Sequence, residues 1–230
     1  MNIKPILNDN TWREIIWVSE NNCIPDTWKI GDEIDLTLSG YFDETVTLQI
    51  WDFNHYDKSD GTGKAHILFG MKDLMIYTMK MNSSFDTNKG GWNSSYMKYT
   101  IMNNIYKSIP EYIRNYIKEV NTYANAGNGS KSESKGLLST DKVFIPGLSE
   151  IDNEWELQNK TETGQTLISI FKDKKNRIKR SRHGSGEIKY WWTRSPYYAN
   201  ITSFCFFDDD GSSYGYYTSS RCGVCFCFNI

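Results

Sequence analysis

The clearest alternation of apolar and polar positions lies between residues 45 and 53. Val46, Leu48 and Ile50 are each separated by one polar residue. A repeat of two places successive side chains on opposite faces of a strand, so this segment predicts a strand with one buried face. Further strands are predicted at residues 30–38, 66–69 and 142–145. Residues 1–45 are accordingly interpreted as N-terminal strands, followed by a region of strands, helices and loops at 46–190.

Helical spacing appears in the middle of the chain. Met97, Ile101 and Ile105 recur at intervals that place them on one helical face. Pro110 and Glu111 suit the first turn of a second helix, because proline needs no N–H there and a carboxylate favours the positive end. We therefore predict two main helices, near 94–105 and 109–118. Residues 124–139 are rich in Gly, Ser and Lys and predict a mobile loop.

The last forty residues are aromatic and strand-like, with turn residues between short apolar segments. The segments 190–192, 203–207, 214–217 and 223–228 predict a meander of antiparallel strands over 191–230. The final segment is apolar on both faces, which predicts a central, buried strand. The expected core residues of this region are Trp191, Trp192, Phe204, Phe206, Phe226 and Phe228. Tyr216 is also expected to face the core, and Arg194 to bridge the core edge to the loops.

The length leaves room for one large domain or two small ones, and we interpret the mixture of predicted strands and helices as a single α+β domain with short antiparallel strands, two main helices and long loops. The 230 residues are 39% hydrophobic, which is enough apolar surface for one core. The net charge of −2 gives no general attraction to nucleic acid or an anionic membrane. The basic run 172–182 lacks interleaved aromatics and is expected to be solvated. No apolar run approaches a membrane span and the start is not a signal peptide, so we expect no membrane insertion.

The five cysteines do not indicate a disulfide framework, because their number is odd and four lie close to the C-terminus. They are interpreted as small buried apolar residues. A zinc site is the alternative, since Cys222, Cys225 and Cys227 with Cys205 and His183 offer suitable ligand types.

Two other chemical interpretations stay open. Asp208 and Asp210 lie in an Asp-Asp-Asp-Gly run that offers oxygen ligands for calcium, although the same run is a good hairpin turn. His55, His66 and His183 leave a Ser/His/Asp arrangement open, because such groups meet in space rather than in sequence.

An ordered series of motifs carries a family resemblance over nearly the whole chain. The motifs lie at 46–55, 70–74, 81–82, 90–95, 140–144, 177–179, 191–196, 204–206 with 210–211, and 223–228. They resemble a set of bacterial and prophage domains of unassigned function, common in clostridia and gut bacteria. The resemblance implies a C-type-lectin-like fold, similar to formylglycine-generating enzymes and to the variable proteins of diversity-generating retroelements.

The resemblance also implies a function. In those variable proteins the C-terminal strands and loops contact the ligand, and here the loops have the Tyr/Ser/Asn/Arg bias of a paratope. The expected ligand-binding residues are Tyr197, Tyr198, Asn200, Asp209, Ser212, Ser213, Tyr214, Tyr217, Ser219 and Arg221.

We expect non-catalytic recognition of a bacterial surface glycan or protein, without a cofactor, by a phage or prophage tail tip or by a diversified variable protein. Such a chain would lie in the virion, or in the cytoplasm before release. Its other expected partners are virion or tail proteins and further copies of itself in a trimer. An enzyme on the formylglycine-generating fold and a structural virion component are the alternatives.

Overall fold

The alternation in the first quarter of the chain does form strands. The computed structural model describes residues 1–129, 136–152, 165–181, 186–187 and 189–230. The strands of these residues are β1 (Glu33–Leu38), β2 (Glu44–Phe53), β3 (Ile67–Met71), β4 (Val120–Ala124), β5 (Leu137–Asp141), β6 (Val143–Phe144), β7 (Trp191–Pro196), β8 (Ser203–Phe207), β9 (Ser213–Tyr217) and β10 (Cys227–Asn229). The α-helices are α1 (Trp12–Glu20), α2 (Asn103–Ser108), α3 (Glu111–Arg114) and α4 (Leu148–Ile151). Helices and antiparallel sheets occur together, which confirms the α+β class.

The largest sheet has the strand order β1-β2-β3-β10-β6, and its adjacent strands are antiparallel. The C-terminal strand β10 lies between β3 and β6, so it is central, as predicted. The predicted meander therefore has only three strands, in the order β7-β8-β9. The fourth segment leaves the meander because a strand that is apolar on both faces is best buried with a neighbour on each side.

The N-terminal region differs from the prediction, because residues 12–20 form the helix α1 rather than a strand. Thr11 and Glu14 form a capping box, in which the Thr11 hydroxyl accepts from the Glu14 amide and the Glu14 carboxylate accepts from the Thr11 amide. These bonds satisfy amides that a helix start leaves without partners. The Thr-x-x-Glu pattern was present in the sequence and outweighs the β-branched residues that follow it.

The two predicted main helices are shorter or displaced. The first begins as a π-helical turn at Met97–Met102 and continues into α2. The second, α3, is a single turn in which Ile113 is buried, and Ile117 is buried just beyond it. The predicted 124–139 loop begins and ends in strand residues. Its first residue is the last of β4, its last three residues belong to β5, and these two strands pair with each other.

The basic run at 172–182 was predicted to be solvated, and this is wrong for Arg177 and Lys179, which are buried. The Lys179 ammonium donates to the carbonyls of Met71 and Lys72, at 2.9 Å each, and lies 5.2 Å from the centre of the Trp51 ring. Burial lowers the pKa of Lys179. These backbone partners are about a hundred residues away in sequence, so the local pattern carries no sign of them.

Candidate functional site

One face of the β7-β8-β9 sheet exposes three tyrosines. Tyr190, Tyr214 and Tyr216 retain 43%, 56% and 36% of their surface. Their ring centres lie 5.2, 6.3 and 5.3 Å from that of buried Phe206. Phe206 lies opposite Tyr214 in the β8–β9 register, which places both side chains on one side of the sheet. We call Tyr190, Tyr214 and Tyr216 the tyrosine face.

The inward orientation expected of Tyr216 is therefore wrong. Its ring does contact buried Trp192, at 6.2 Å between centres, but it covers the indole from the solvent side. Strand periodicity correctly places Tyr216 with Tyr214. Periodicity could not show that the buried space next to the Tyr216 ring is already filled by Trp192 and Phe206.

The β8–β9 turn is held by its own aspartates. Asp208 Oδ1 accepts from the amides of Asp210 and Ser212 at 3.2 and 3.0 Å, and Asp210 Oδ1 accepts from Ser212 at 2.8 Å. The Ser212 and Asp208 hydrogen bonds lower the pKa of Asp210, whereas burial and the adjacent Asp210 raise that of Asp208. These bonds favour the hairpin-turn interpretation over calcium. Across the described ranges, no three His, Cys, Asp or Glu residues are grouped so that they could hold a metal.

A polar cleft of about 380 Å³ lies beside this turn. It brings three predicted residues, Ser212, Ser213 and Tyr214, together with others that the sequence analysis missed. The missed residues are Asp152, Lys174 and Arg177, whereas Asp210 was named only as a candidate calcium ligand and Gly211 only as part of a motif. Arg177 Nη1 donates to Asp152 Oδ2 at 2.7 Å. The motif at 177–179 was the signal in the sequence that could have drawn attention to Arg177.

The other predicted ligand-binding residues are not brought to this cleft. The Tyr197 ring packs on Gly215, where an added Cβ would lie 2.2 Å from the ring, and the Tyr198 ring lies tilted beside it at 5.5 Å between ring centres. Asn200 accepts from the amide and hydroxyl of Thr202 within its own turn. Tyr217 is exposed, but period-two alternation places it on the face opposite Tyr216.

Three predicted residues lie at the ends of β9 and its turns. Asp209 is at the exposed tip of the β8–β9 turn. The Ser219 amide donates to Asp86 Oδ1 at 2.7 Å, and Arg221 Nη1 donates to the Thr78 carbonyl at 2.7 Å. Ser219 and Arg221 thus fasten the segment after β9 to the preceding loops.

The core-edge position expected of Arg194 is wrong, because its side chain is fully buried. Its guanidinium makes a bidentate pair with Glu150, at 2.8 and 2.7 Å, and donates to the carbonyls of Tyr123 and Ile145. Burial alone would raise the pKa of Glu150, but the Arg194 charge and its hydrogen bonds outweigh burial and hold this pKa below its usual value.

The cysteines match the core interpretation at four positions, Cys205, Cys222, Cys225 and Cys227, and differ at Cys23, which is exposed. Burial raises the pKa of the Cys222 thiol to about 12 and that of Cys225 to about 11. Such thiols stay protonated at neutral pH and are weak nucleophiles and metal ligands.

Two histidines have defined partners. His55 Nδ1 lies 2.9 Å from Asp52 Oδ2, and His66 Nδ1 lies 2.6 Å from the Ser19 carbonyl. Asp52 and His55 form the carboxylate–imidazole half of a Ser/His/Asp arrangement, in which a nucleophile would contact Nε2. Among the described residues, Nε2 of neither histidine hydrogen-bonds to a hydroxyl or a thiol. His183 lies outside the described residues.

A family model described as a domain of unknown function, DUF6273, matches residues 68–230. The chain belongs to the DUF6273 family. The match contains both the tyrosine face and the polar cleft, so the candidate site lies in the part of the chain that the family shares. No curated protein and no solved structure matches the chain. Of the helices in the described residues, none is long and apolar enough to cross a membrane.

Proposed function

We propose that this DUF6273 chain is a non-catalytic recognition domain that binds its ligand on the tyrosine face. The observation that carries the proposal is the exposure of Tyr190, Tyr214 and Tyr216 on one side of a small sheet. Tyrosine offers a large flat apolar surface and a hydroxyl, with only two side-chain torsions to restrict on binding. Three such rings around one buried phenylalanine form a surface suited to a ligand with both apolar and polar edges.

The support beneath the tyrosine face is rigid, which favours a binding role. Trp192 and Phe206 are buried on the same side of the sheet, in contact with the tyrosine rings, and the Trp192 indole N–H donates to the Met79 carbonyl at 2.8 Å. β8 has a partner on both sides. A surface whose side chains are already held in place loses little conformational entropy on binding, so more of the contact energy appears as affinity.

The family resemblance of the motifs supplies the rest of the proposal. It suggests a C-type-lectin-like fold, a phage or prophage tail as the location, and a glycan or protein of the bacterial surface as the ligand. This step is an analogy between folds, and it supports the proposal without replacing the site. For the enzyme alternative, we find no supporting geometry in the described residues. The alternative of a structural virion component differs from our proposal because it predicts that no ligand is bound.

The test is the binding of the labelled chain to bacterial cells and to an array of bacterial glycans. The variant Tyr214→Ala/Tyr216→Ala should lose tenfold or more in affinity, because aromatic anchors contribute most of the energy at such surfaces. The matched control is Tyr41→Ala/Tyr112→Ala, which removes two exposed tyrosines from the β1–β2 turn and from α3. The proposal fails if the wild-type chain binds nothing, or if the two double variants bind equally well.

A further inference from the structure

The strand β9 lies at one edge of the β7-β8-β9 sheet. Among the described residues, β8 is the only strand that pairs with it. Two backbone bonds, one at each end of the β8–β9 ladder, show which positions of the two strands bond to each other. The Asp208 amide donates to the Ser212 carbonyl at 2.9 Å, and the Thr218 amide donates to the Thr202 carbonyl at 3.0 Å. Hydrogen-bonded positions recur at every second residue of an antiparallel ladder.

This alternation decides which backbone groups of β9 face the open edge. Tyr214 and Tyr216 lie in the same series as Ser212 and Thr218, so their amides and carbonyls are directed to β8. Gly215 lies in the other series, together with the first and last residues of β9. The amides and carbonyls of this series are directed away from β8.

The edge is open in its middle, at Gly215. Gly215 is partly exposed, and among the described residues neither its amide nor its carbonyl has a hydrogen-bond partner. The ends of β9 are less open, because Ser213 is buried and the Tyr217 carbonyl accepts from the Ser220 amide at 2.9 Å. Free backbone groups on an edge strand are a template for another strand. A strand that approaches β9 therefore meets such groups at Gly215.

The β1 edge of the main sheet is protected in ways that β9 is not. β1 carries Glu33 and Asp35, and the Trp12 indole N–H donates to the Asp35 carbonyl at 3.0 Å. Charges and covering side chains are devices that keep natural edge strands from pairing with other chains. The sequence of β9, Ser-Tyr-Gly-Tyr-Tyr, has no charged residue and no proline. Its composition therefore does not oppose the addition of a strand.

The sequence of β9 also fits a second copy of itself. Tyr214-Gly215-Tyr216 reads the same in both directions. When two copies of β9 run antiparallel around Gly215, the free groups of Gly215 face those of Gly215 of the partner subunit. Tyr214 then lies opposite Tyr216 of the partner subunit, and aromatic pairs in this position stabilise a sheet. A neutral strand also brings no like charges together in such a pair.

We propose that β9 pairs antiparallel with β9 of a second copy of this chain, with a two-fold axis at Gly215. The pairing joins two three-stranded sheets into one sheet of six strands. Residues opposite each other in an antiparallel pair lie on the same side of the sheet, so the two tyrosine faces form one continuous surface. The pairing needs no ligand, and it therefore stands or fails separately from the proposed function.

Analytical ultracentrifugation of the full chain tests the pairing. The weight-average mass of wild type should rise with concentration from 26.7 kDa towards twice that value. Tyr217→Pro should remain near 26.7 kDa, because a proline ring at the open edge obstructs a neighbouring strand. The Tyr217 amide is not directed to β8, so this variant should fold, with the near-ultraviolet circular dichroism of wild type.

Charged variants test the register of the pair. Tyr214→Lys/Tyr216→Lys and Tyr214→Glu/Tyr216→Glu should each weaken the pairing about tenfold, because like charges then lie opposite each other. A mixture of these two variants should pair again, since each lysine then faces a glutamate. The matched control is Tyr41→Lys/Tyr112→Lys, which places the same charges at exposed tyrosines outside β9 and should pair as wild type does.

A wild-type chain that keeps its mass of 26.7 kDa up to about 1 mM overturns the inference, whether the edge stays in water or takes a peptide of another protein. A trimeric mass also overturns it, because two-fold pairing closes at two copies. If wild type forms a dimer but Tyr217→Pro or the lysine variant pairs equally well, another surface carries the contact and the inference fails.

Cell binding separates this inference from the proposed function. A monomeric chain that binds cells through the tyrosine face leaves the proposed function intact, while the pairing fails. A dimer that is broken by Tyr217→Pro and binds neither cells nor glycans supports the pairing, while the proposed function fails.

Discussion

At the residue scale, the buried pair Glu150–Arg194 joins α4 to β7 and is expected to contribute to stability. Removing one partner leaves the other charged, buried and unpaired. We predict that Glu150→Ala lowers the free energy of unfolding by about 3–5 kcal/mol. The control is Glu33→Ala, whose partner Lys72 forms an exposed ion pair at 2.8 Å, and this should cost about 1 kcal/mol or less. Urea denaturation of both variants measures the difference, and equal losses would contradict the account.

The same pair predicts a pH dependence. The pKa of Glu150 is lowered in the folded chain, so its contribution to stability is present above the unfolded pKa and is lost as the pH falls through the folded pKa. The free energy of unfolding of wild type should therefore fall more steeply on acidification than that of Glu150→Gln. Thermal unfolding between neutral and acidic pH checks this, and parallel curves would show that Glu150 does not carry the effect.

Charged residues show most clearly what the sequence alone could not predict. Glu150, Arg194 and Lys179 are buried, although their residue types ordinarily indicate surface. Each is buried because it meets a charge or a carbonyl that is distant in sequence. The apolar residues of β7, β8 and β10 were predictable, since their burial needs only the local pattern.

At the element scale, α1 depends on its capping box. Thr11→Ala removes the hydroxyl that accepts from the Glu14 amide, so it should cost about 1 kcal/mol of unfolding free energy. Thr45→Ala provides a comparison in β2, where the residue is exposed and its hydroxyl hydrogen-bonds to that of Thr37. Chemical denaturation of the two variants tests the cap, and a Thr11→Ala variant as stable as wild type would contradict it.

The loop between β7 and β8 depends on Asn88. The buried Asn88 amide donates to the carbonyls of Tyr197, Asn200 and Ser203 at 3.1, 2.8 and 2.8 Å. Asn88→Ala should therefore increase hydrogen exchange at residues 197–203 while the amides of β2 keep their protection. Unchanged exchange in the loop would show that other contacts hold it. Sequence pattern marks this segment only as a turn, because an anchor over a hundred residues away leaves no local sign.

At the scale of the whole molecule, the 67 residues before the family match complete the main sheet. β2 pairs with β3, the Ser19 hydroxyl donates to the Ile230 carbonyl at 2.7 Å, and the Trp12 ring lies 5.3 Å from that of Phe69. The order of this sheet was not predictable, because the partners of β10 come from residues 67–71 and 143–144. The central position of β10 was predictable, because both faces of that segment are apolar.

The fragment 68–230 should therefore fail to fold alone, since the edge and face of β3 that β2 and α1 cover would be exposed. We predict a loss of near-ultraviolet circular dichroism and a tendency to aggregate. Addition of residues 1–67 as a separate chain should restore part of the signal. A fragment that gives dispersed NMR spectra and unfolds cooperatively would contradict this prediction.

The central claim is that the tyrosine face contacts the ligand, and chemical footprinting measures this most directly. The full chain is nitrated with and without bacterial cell-wall fragments, and the modification of each tyrosine is quantified by mass spectrometry. The account predicts protection of Tyr190, Tyr214 and Tyr216, with Tyr41 and Tyr112 modified equally in both samples. Equal modification of the tyrosine face in both samples, or protection confined to Tyr41 and Tyr112, would contradict it.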